Sequence, residues 1–191
     1  MPEVAFSDNS TWYASLPGVV VAAGALITDA AGQVLLVKPN YRDHWALPGG
    51  ICEHGEPPHA GCGREVAEEL GLDISVGRLL TTDWSQPYGP DARPIMHFVF
   101  DGGLLDDESG IVIQESELDG YRFTRAAELA SYLPAYGLAR VGGALSARES
   151  GRCLFLPHEP GAPKHEPGAP KYEPGAPKHE PGAPKHEPGS L

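Results

Sequence analysis

Basic residues, cysteines and long apolar runs are all scarce in this 191-residue chain. Fourteen Lys and Arg face 26 Asp and Glu, for a formal net charge of −12. That balance argues against general affinity for a nucleic-acid backbone or an anionic membrane. A phosphorylated small molecule remains possible, but a cation would have to bridge the like charges. Cys52, Cys62 and Cys153 are the only cysteines, an odd and sparse set that reads as reduced thiols rather than a disulfide framework. The longest apolar run, Gly18 to Ile27, falls well short of the ~20 residues that span a bilayer. The opening Met-Pro-Glu-Val has none of the basic character of a secretory signal. These absences together predict a soluble, cytoplasmic protein with no nucleic-acid or membrane partner.

Large aliphatic side chains vanish near His158. From there a seven-residue unit, HEPGAPK, starts at His158, at His165 and at His179, with Tyr172 replacing His in the third copy and a truncated HEPGSL at the end. Two prolines in every seven residues remove backbone donors and disfavour both helix and sheet, so 158–191 is expected to be a disordered tail. Glycine recurs every seventh position, which excludes collagen. The spaced histidines invite a metal reading, but a flexible spacer is the simpler account. The tail's partners cannot be read from its sequence. It carries five Glu and four Lys, so about −11 of the charge belongs to residues 1–157.

The 41% hydrophobic content is enough for a core, and the first 157 residues carry mixed α and β signals. Strands are expected at 19–28, 33–38, 74–82 and 95–100, with a weaker one at 120–124. Helical patterns cover 57–70, 126–133 and 134–147. An α/β domain is expected over 18–150, with an N-terminal extension at 1–17 and a linker at 151–157. Interspersed strands and helices suit a sheet covered on both faces.

The chemistry is concentrated between Gly50 and Leu72, GICEHGEPPHAGCGREVAEELGL. Pro57 and Pro58 suit a first helical turn, where a missing N–H costs nothing, and Gly71 is a natural stop. Glu65, Glu68 and Glu69 stand at i, i+3 and i+4, so their carboxylates share a face, while Val66, Ala67 and Leu70 would pack on the sheet. Such a trio is either a solvated acidic face or a set of oxygen ligands for a hard divalent cation. Arg64 could pin one of the carboxylates.

The spacing resembles the signature of the Nudix hydrolase family: Gly50, five residues, Glu56, seven residues, Arg64-Glu65, the aliphatic Val66, then Glu68-Glu69, Gly71 and Leu72. Every specified position is filled, and a chance match has odds on the order of one in ten million. The approach Trp45-Ala46-Leu47-Pro48-Gly49-Gly50 is similar as well. The resemblance implies an α/β/α sandwich with a mixed sheet between helices. It implies Glu65, Glu68, Glu69 and a backbone carbonyl at Gly49 or Gly50 as metal ligands. Arg64 would orient them, and Glu56 would support the loop. Glu65, Glu69 and Arg64 then carry catalysis with Mg2+, or Mn2+ in its place. The implied reaction is hydrolysis of a diphosphate linkage in a nucleoside triphosphate, an oxidised nucleotide or an ADP-ribose-like molecule.

Other features are less specific. Besides Glu65, the general base could be Glu115 or Glu117, or Asp107 or Glu108, all of which also read as surface charges. Trp84, Tyr88 and Arg93 flank a Pro/Gly-rich loop and could stack a base and hold a phosphate, as could Tyr41 and Arg42. Cys52, His54, His59 and Cys62 are spaced C-x-H-x4-H-x2-C, which matches no common zinc pattern. Two other functions fit the same residues: a non-catalytic nucleotide-sugar sensor, and a scaffold that engages a proline-reading partner through the repeats.

Overall fold

The structure is a computed structural model that describes Trp12 and residues 14–86 and 93–156. The 158–191 repeats lie outside the described residues. Among the described residues seven strands form one mixed sheet: β1 (Val20–Thr28), β2 (Val34–Pro39), β3 (Gly49–Ile51), β4 (Leu79–Ser85), β5 (Ile95–Leu104), β6 (Leu118–Thr124) and β7 (Leu154–Leu156). The order across the sheet is β6-β2-β1-β5-β4-β7, with β3 also paired to β1. Among the described residues, helices α1 (Pro58–Leu70) and α2 (Ala135–Ser150) pack against it.

Strand alternation sends consecutive side chains to opposite faces. Ala23, Ala25 and Ile27 of β1 join Leu35 and Val37 of β2 against Cys62, Val66 and Leu70 of α1. The intervening Leu26, Val34 and Leu36 meet Val141, Ala144 and Ala147 of α2. Val66 and Leu70 are fully buried, each worth roughly 1.5–3 kcal/mol. The mixed sheet between helices is the layered fold that the α/β patterning implied.

β1 changes neighbour along its length, and this positions the site. Its middle pairs antiparallel with β3 through Ala23↔Gly50 and Gly24↔Gly49, whereas β2 meets it only at Thr28↔Val34. The two partners therefore diverge, and residues 40–48 fill the fork between them. Val37 and Ala46 exchange backbone hydrogen bonds at 2.9 and 3.0 Å, and the Ala25 N–H donates to the Pro48 carbonyl at 3.0 Å.

Several boundaries differ from expectation. The strand expected at 74–82 begins only at Leu79, although backbone hydrogen bonds to Asp101 of β5 reach back to Gly77. Ile74 and Val76 instead cover the α1-side core without joining the sheet. The helical pattern at 126–133 is a 3-10 helix, Ala126–Ser131. Leu154–Leu156 falls within the stretch read as a linker, yet it adds β7 to the sheet in parallel with β4. β3 was not foreseen: three residues, two of them glycine, have no side-chain alternation to detect.

Candidate active site

α1 begins with Pro58 at its first helical position and ends at Gly71, which takes a left-handed φ of 67° and donates its N–H to the Ala67 carbonyl at 2.9 Å. At about 100° per residue, Glu69 lies about 20° outside the arc of Cys62, Val66 and Leu70, Glu65 about 60° and Glu68 about 120°. Burial follows that order. Glu69 is only 5% exposed, Glu65 is half-buried and Glu68 is exposed. Ala67, expected to pack on the sheet, is exposed because it lies on the far side of this arc.

Arg64 is the hub of the box. It grips Glu56 with two parallel bonds, Nε to Oε1 at 2.9 Å and Nη2 to Oε2 at 3.0 Å. Nη2 also donates to Glu65 Oε1 at 2.9 Å and to the Ile51 carbonyl at 3.2 Å, and Nη1 donates to Glu68 Oε2 at 2.9 Å. The paired guanidinium holds the Glu56 carboxyl below the usual glutamate range. Glu56 in turn accepts the Glu53 N–H at 2.9 Å, which closes the loop before the helix.

The other two carboxylates meet the β3 backbone. Glu69 Oε2 accepts the Gly49 N–H at 2.7 Å. Glu65 lies against Gly50 so closely that a Cβ there would come within 2.6 Å of its carboxyl carbon. Burial pushes both acids upward, Glu69 to about 8, even though the Gly49 bond on Glu69 and Arg64 on Glu65 act the other way. Gly49 has φ +137°, and a Cβ on it would collide with the Ala23 carbonyl and sit 2.5 Å from Gly24 Cα. Among the described residues no three acidic, His or Cys side chains are gathered into a cation cage, and Arg64 draws Glu68 outward.

The structure sorts the remaining candidates. Glu117 stands close enough for its charge to raise both Glu65 and Glu69. Its loop is fastened to α1 by the Gln114 N–H, which donates to the Glu69 carbonyl at 3.0 Å, while Gln114 Nε2 donates to Glu117 Oε1 at 3.2 Å. Gln114 was missed by sequence reasoning, and nothing in its local sequence marks it. Glu115 is exposed and makes no hydrogen bond or ion pair with the box residues. Asp107 caps a short 3-10 turn that includes Glu108, accepting the Ser109 N–H at 2.9 Å.

Trp84 lies on β4, separated from β1 by β5, and Arg93 packs against Gly18. Neither forms a hydrogen bond or ion pair with the glutamates among the described residues, and Tyr88 lies outside the described residues. Arg42 stacks on Tyr41, its Cζ 5.2 Å from the ring centroid. Partial burial raises the Tyr41 hydroxyl, Arg42 opposes that, and Glu69, Glu117 and Glu65 add to it. His54 and His59 are exposed, whereas Cys62 is buried and its thiol is pushed up to about 12 by burial.

The NUDIX domain model matches residues 18–141, well over half of the chain. The chain belongs to the Nudix family. A curated relative, "Putative ADP-ribose pyrophosphatase YjhB" of Bacillus subtilis, is 35% identical over 79 residues, covering 41% of this chain and 38% of that protein. Human diphosphoinositol polyphosphate phosphohydrolase 3-alpha is 38% identical over 76 residues, covering 39% and 46% respectively. These Nudix matches thus span less than half the length of either relative. The crystal structure of a MutT protein from Methanosarcina mazei Go1 superposes with a TM-score of 0.58 at 23% identity, over 72% of this chain and 99% of that one. At that identity the likeness speaks for the Nudix fold.

Proposed function

We propose that the protein hydrolyses a diphosphate linkage in a small phosphorylated molecule of the nucleotide kind, using a divalent cation held by the box. The observation that carries this reading is the arrangement around Arg64. One guanidinium fixes three of the box glutamates, while Glu69, the fourth, is buried against the Gly49 N–H. A solvated acidic face needs neither a buried carboxylate nor a bidentate clamp. The relatives' names, a pyrophosphatase and a phosphohydrolase, agree with the reading.

The donor set suits a hard cation. Two neighbouring carboxyls whose ionisation is opposed by burial are a configuration that a divalent ion relieves. Glu65, Glu68 and Glu69, with the Gly50 backbone carbonyl, would hold it, and Mg2+ is the first choice with Mn2+ as a substitute. Bound there, the cation offsets the charge of the diphosphate and lowers the pKa of attacking water. Arg64 keeps Glu65 oriented, and Glu56 keeps Arg64 oriented. The Gly49 N–H occupies Glu69 Oε2 and fixes that carboxylate's plane. Glu117, steadied by Gln114, is the group we assign to receive the proton of the attacking water. This chemistry belongs to residues 18–150 and asks nothing of the 158–191 repeats.

The test is a panel of nucleoside triphosphates, oxidised nucleotides and nucleotide sugars incubated with Mg2+, with phosphate-bearing products quantified. Turnover of at least one compound is expected, lost in Glu69→Gln and restored by no other divalent ion. Full activity of Glu69→Gln across the panel, or no turnover by the wild-type protein, would overturn the reading.

A further inference from the structure

Arg42 lies near enough to the box for its charge to act on Glu69, and among the described residues its guanidinium forms no ion pair. Arg64, by contrast, is committed to Glu56, Glu65 and Glu68, each at 2.9 Å. It is half-buried, stacked on Tyr41, and belongs to a turn secured at several points. The Arg42 N–H donates to the Pro39 carbonyl at 3.4 Å, and the Arg42 carbonyl accepts from Lys38 Nζ. Asn40 ties the same turn to the site: its backbone N–H donates to the Glu117 carbonyl at 2.9 Å and its Nδ2 to the Ser116 carbonyl at 2.8 Å. That loop is bonded through Gln114 to the end of α1 at Glu69. A fixed and unpaired guanidinium is thus held beside an acidic centre by a chain of backbone contacts.

We propose that Arg42 binds a non-bridging phosphate oxygen of the diphosphate, and that Tyr41 is a positioning residue that holds the guanidinium in place for it. This inference rests on the diphosphate-hydrolase reading of the same site. A planar guanidinium offers forked donors matched to phosphate, and an arginine not already neutralised by an acid keeps its charge for the ligand. Tyr41 is 46% exposed, so its ring is open to solvent beside the site. With Arg42 over one face, its service is to stack the cation rather than a base. The aromatic ring is therefore the part that matters, and the hydroxyl is dispensable.

The experiment pairs kinetics on the best substrate of the panel with calorimetric binding of α,β-methylene-ADP, a non-hydrolysable diphosphate, in excess Mg2+. Arg42→Ala is expected to raise KM and the analogue's Kd by roughly 10-fold to 100-fold while kcat changes less than about threefold. Arg42→Lys, which keeps charge but loses the fork, should recover only part of that. Tyr41→Ala should raise KM several-fold, and Tyr41→Phe should recover the wild-type KM. Wild-type turnover with unchanged KM in both Arg42→Ala and Tyr41→Ala would overturn this proposal and leave the hydrolase reading intact. Analogue binding that depends on Arg42, with no turnover of any compound, would overturn the hydrolase reading instead. No analogue binding by the wild-type protein would overturn this proposal.

Discussion

Arg64 and Glu56, eight positions apart, are joined by two parallel charge-assisted hydrogen bonds at 2.9 and 3.0 Å, so the loop entering α1 is locked to the helix that presents the glutamates. Removing either partner leaves a charged group short of its bonds. Arg64→Ala should destabilise the protein by about 2 kcal/mol, with Arg64→Lys recovering less than half of it. Urea midpoints of the three proteins measure this.

The same pair sets an acid limb of stability. Glu56 is ionised more easily in the folded state than in the unfolded chain. Its contribution is therefore present above the ordinary glutamate range and is lost as pH falls through the lowered folded value. Urea titrations between pH 3 and 7 should show stability dropping at the acid end, and Glu56→Gln should flatten that drop.

Glu69 behaves in the opposite sense. Burial raises its folded pKa to about 8, so in metal-free protein the charged carboxylate opposes folding as pH rises from the ordinary glutamate range through 8. With EDTA present, Glu69→Gln should melt about 5 °C above the wild-type protein at pH 8.5 and close to it at pH 4. The same substitution is expected to abolish turnover, so thermal scans and the Mg2+ assay should separate stability from function.

Gly49 and Gly50 should fail in different ways. A Cβ at Gly49 meets backbone, the Ala23 carbonyl and Gly24 Cα, at a φ of +137°. Gly49→Ala should therefore cost about 3 kcal/mol or more and be seen as loss of folded protein by circular dichroism. At Gly50 the added methyl meets the Glu65 carboxylate, which can move. Gly50→Ala should stay folded and lose most of its activity.

Thiol reactivity reports the α1 packing. Cys153 is exposed, whereas Cys62 is fully buried with its thiol pushed up to about 12. Iodoacetamide at pH 8 should label Cys153 within minutes and Cys62 only after denaturant is added, as read by peptide mass spectrometry. Equal labelling rates would contradict the packing of α1 on the sheet.

What could be read from the amino acids was local. Pro58 and Gly71 bound α1 because their backbone preferences act within one turn, and Glu65, Glu68 and Glu69 share a face because helical geometry repeats every 3.6 residues. The unequal burial of those glutamates also follows from the helix, once Cys62, Val66 and Leu70 identify the arc that meets the sheet. β3 and β7 escaped notice because each is three residues long and exists only through its partner strand. Trp84 and Arg93 had suitable chemistry, but β5 stands between β4 and β1, and composition carries no information about strand order.

By itself, then, the chain determined its family, its metal-suited glutamate trio and the ends of the helix that carries it, since all of these depend on residues within a few turns of one another. The tertiary structure decided how the acids are placed and bonded. It buried Glu69 under the Gly49 N–H, gave Glu56 to Arg64, set Glu117 rather than Glu115 beside the box, and stacked Arg42 on Tyr41 with no ion pair among the described residues. The Gly49 bond and the placing of residues 40–48 depend on the fork in the sheet where β2 diverges from β3 along β1, and strand pairing between distant segments is fixed by packing of the whole core.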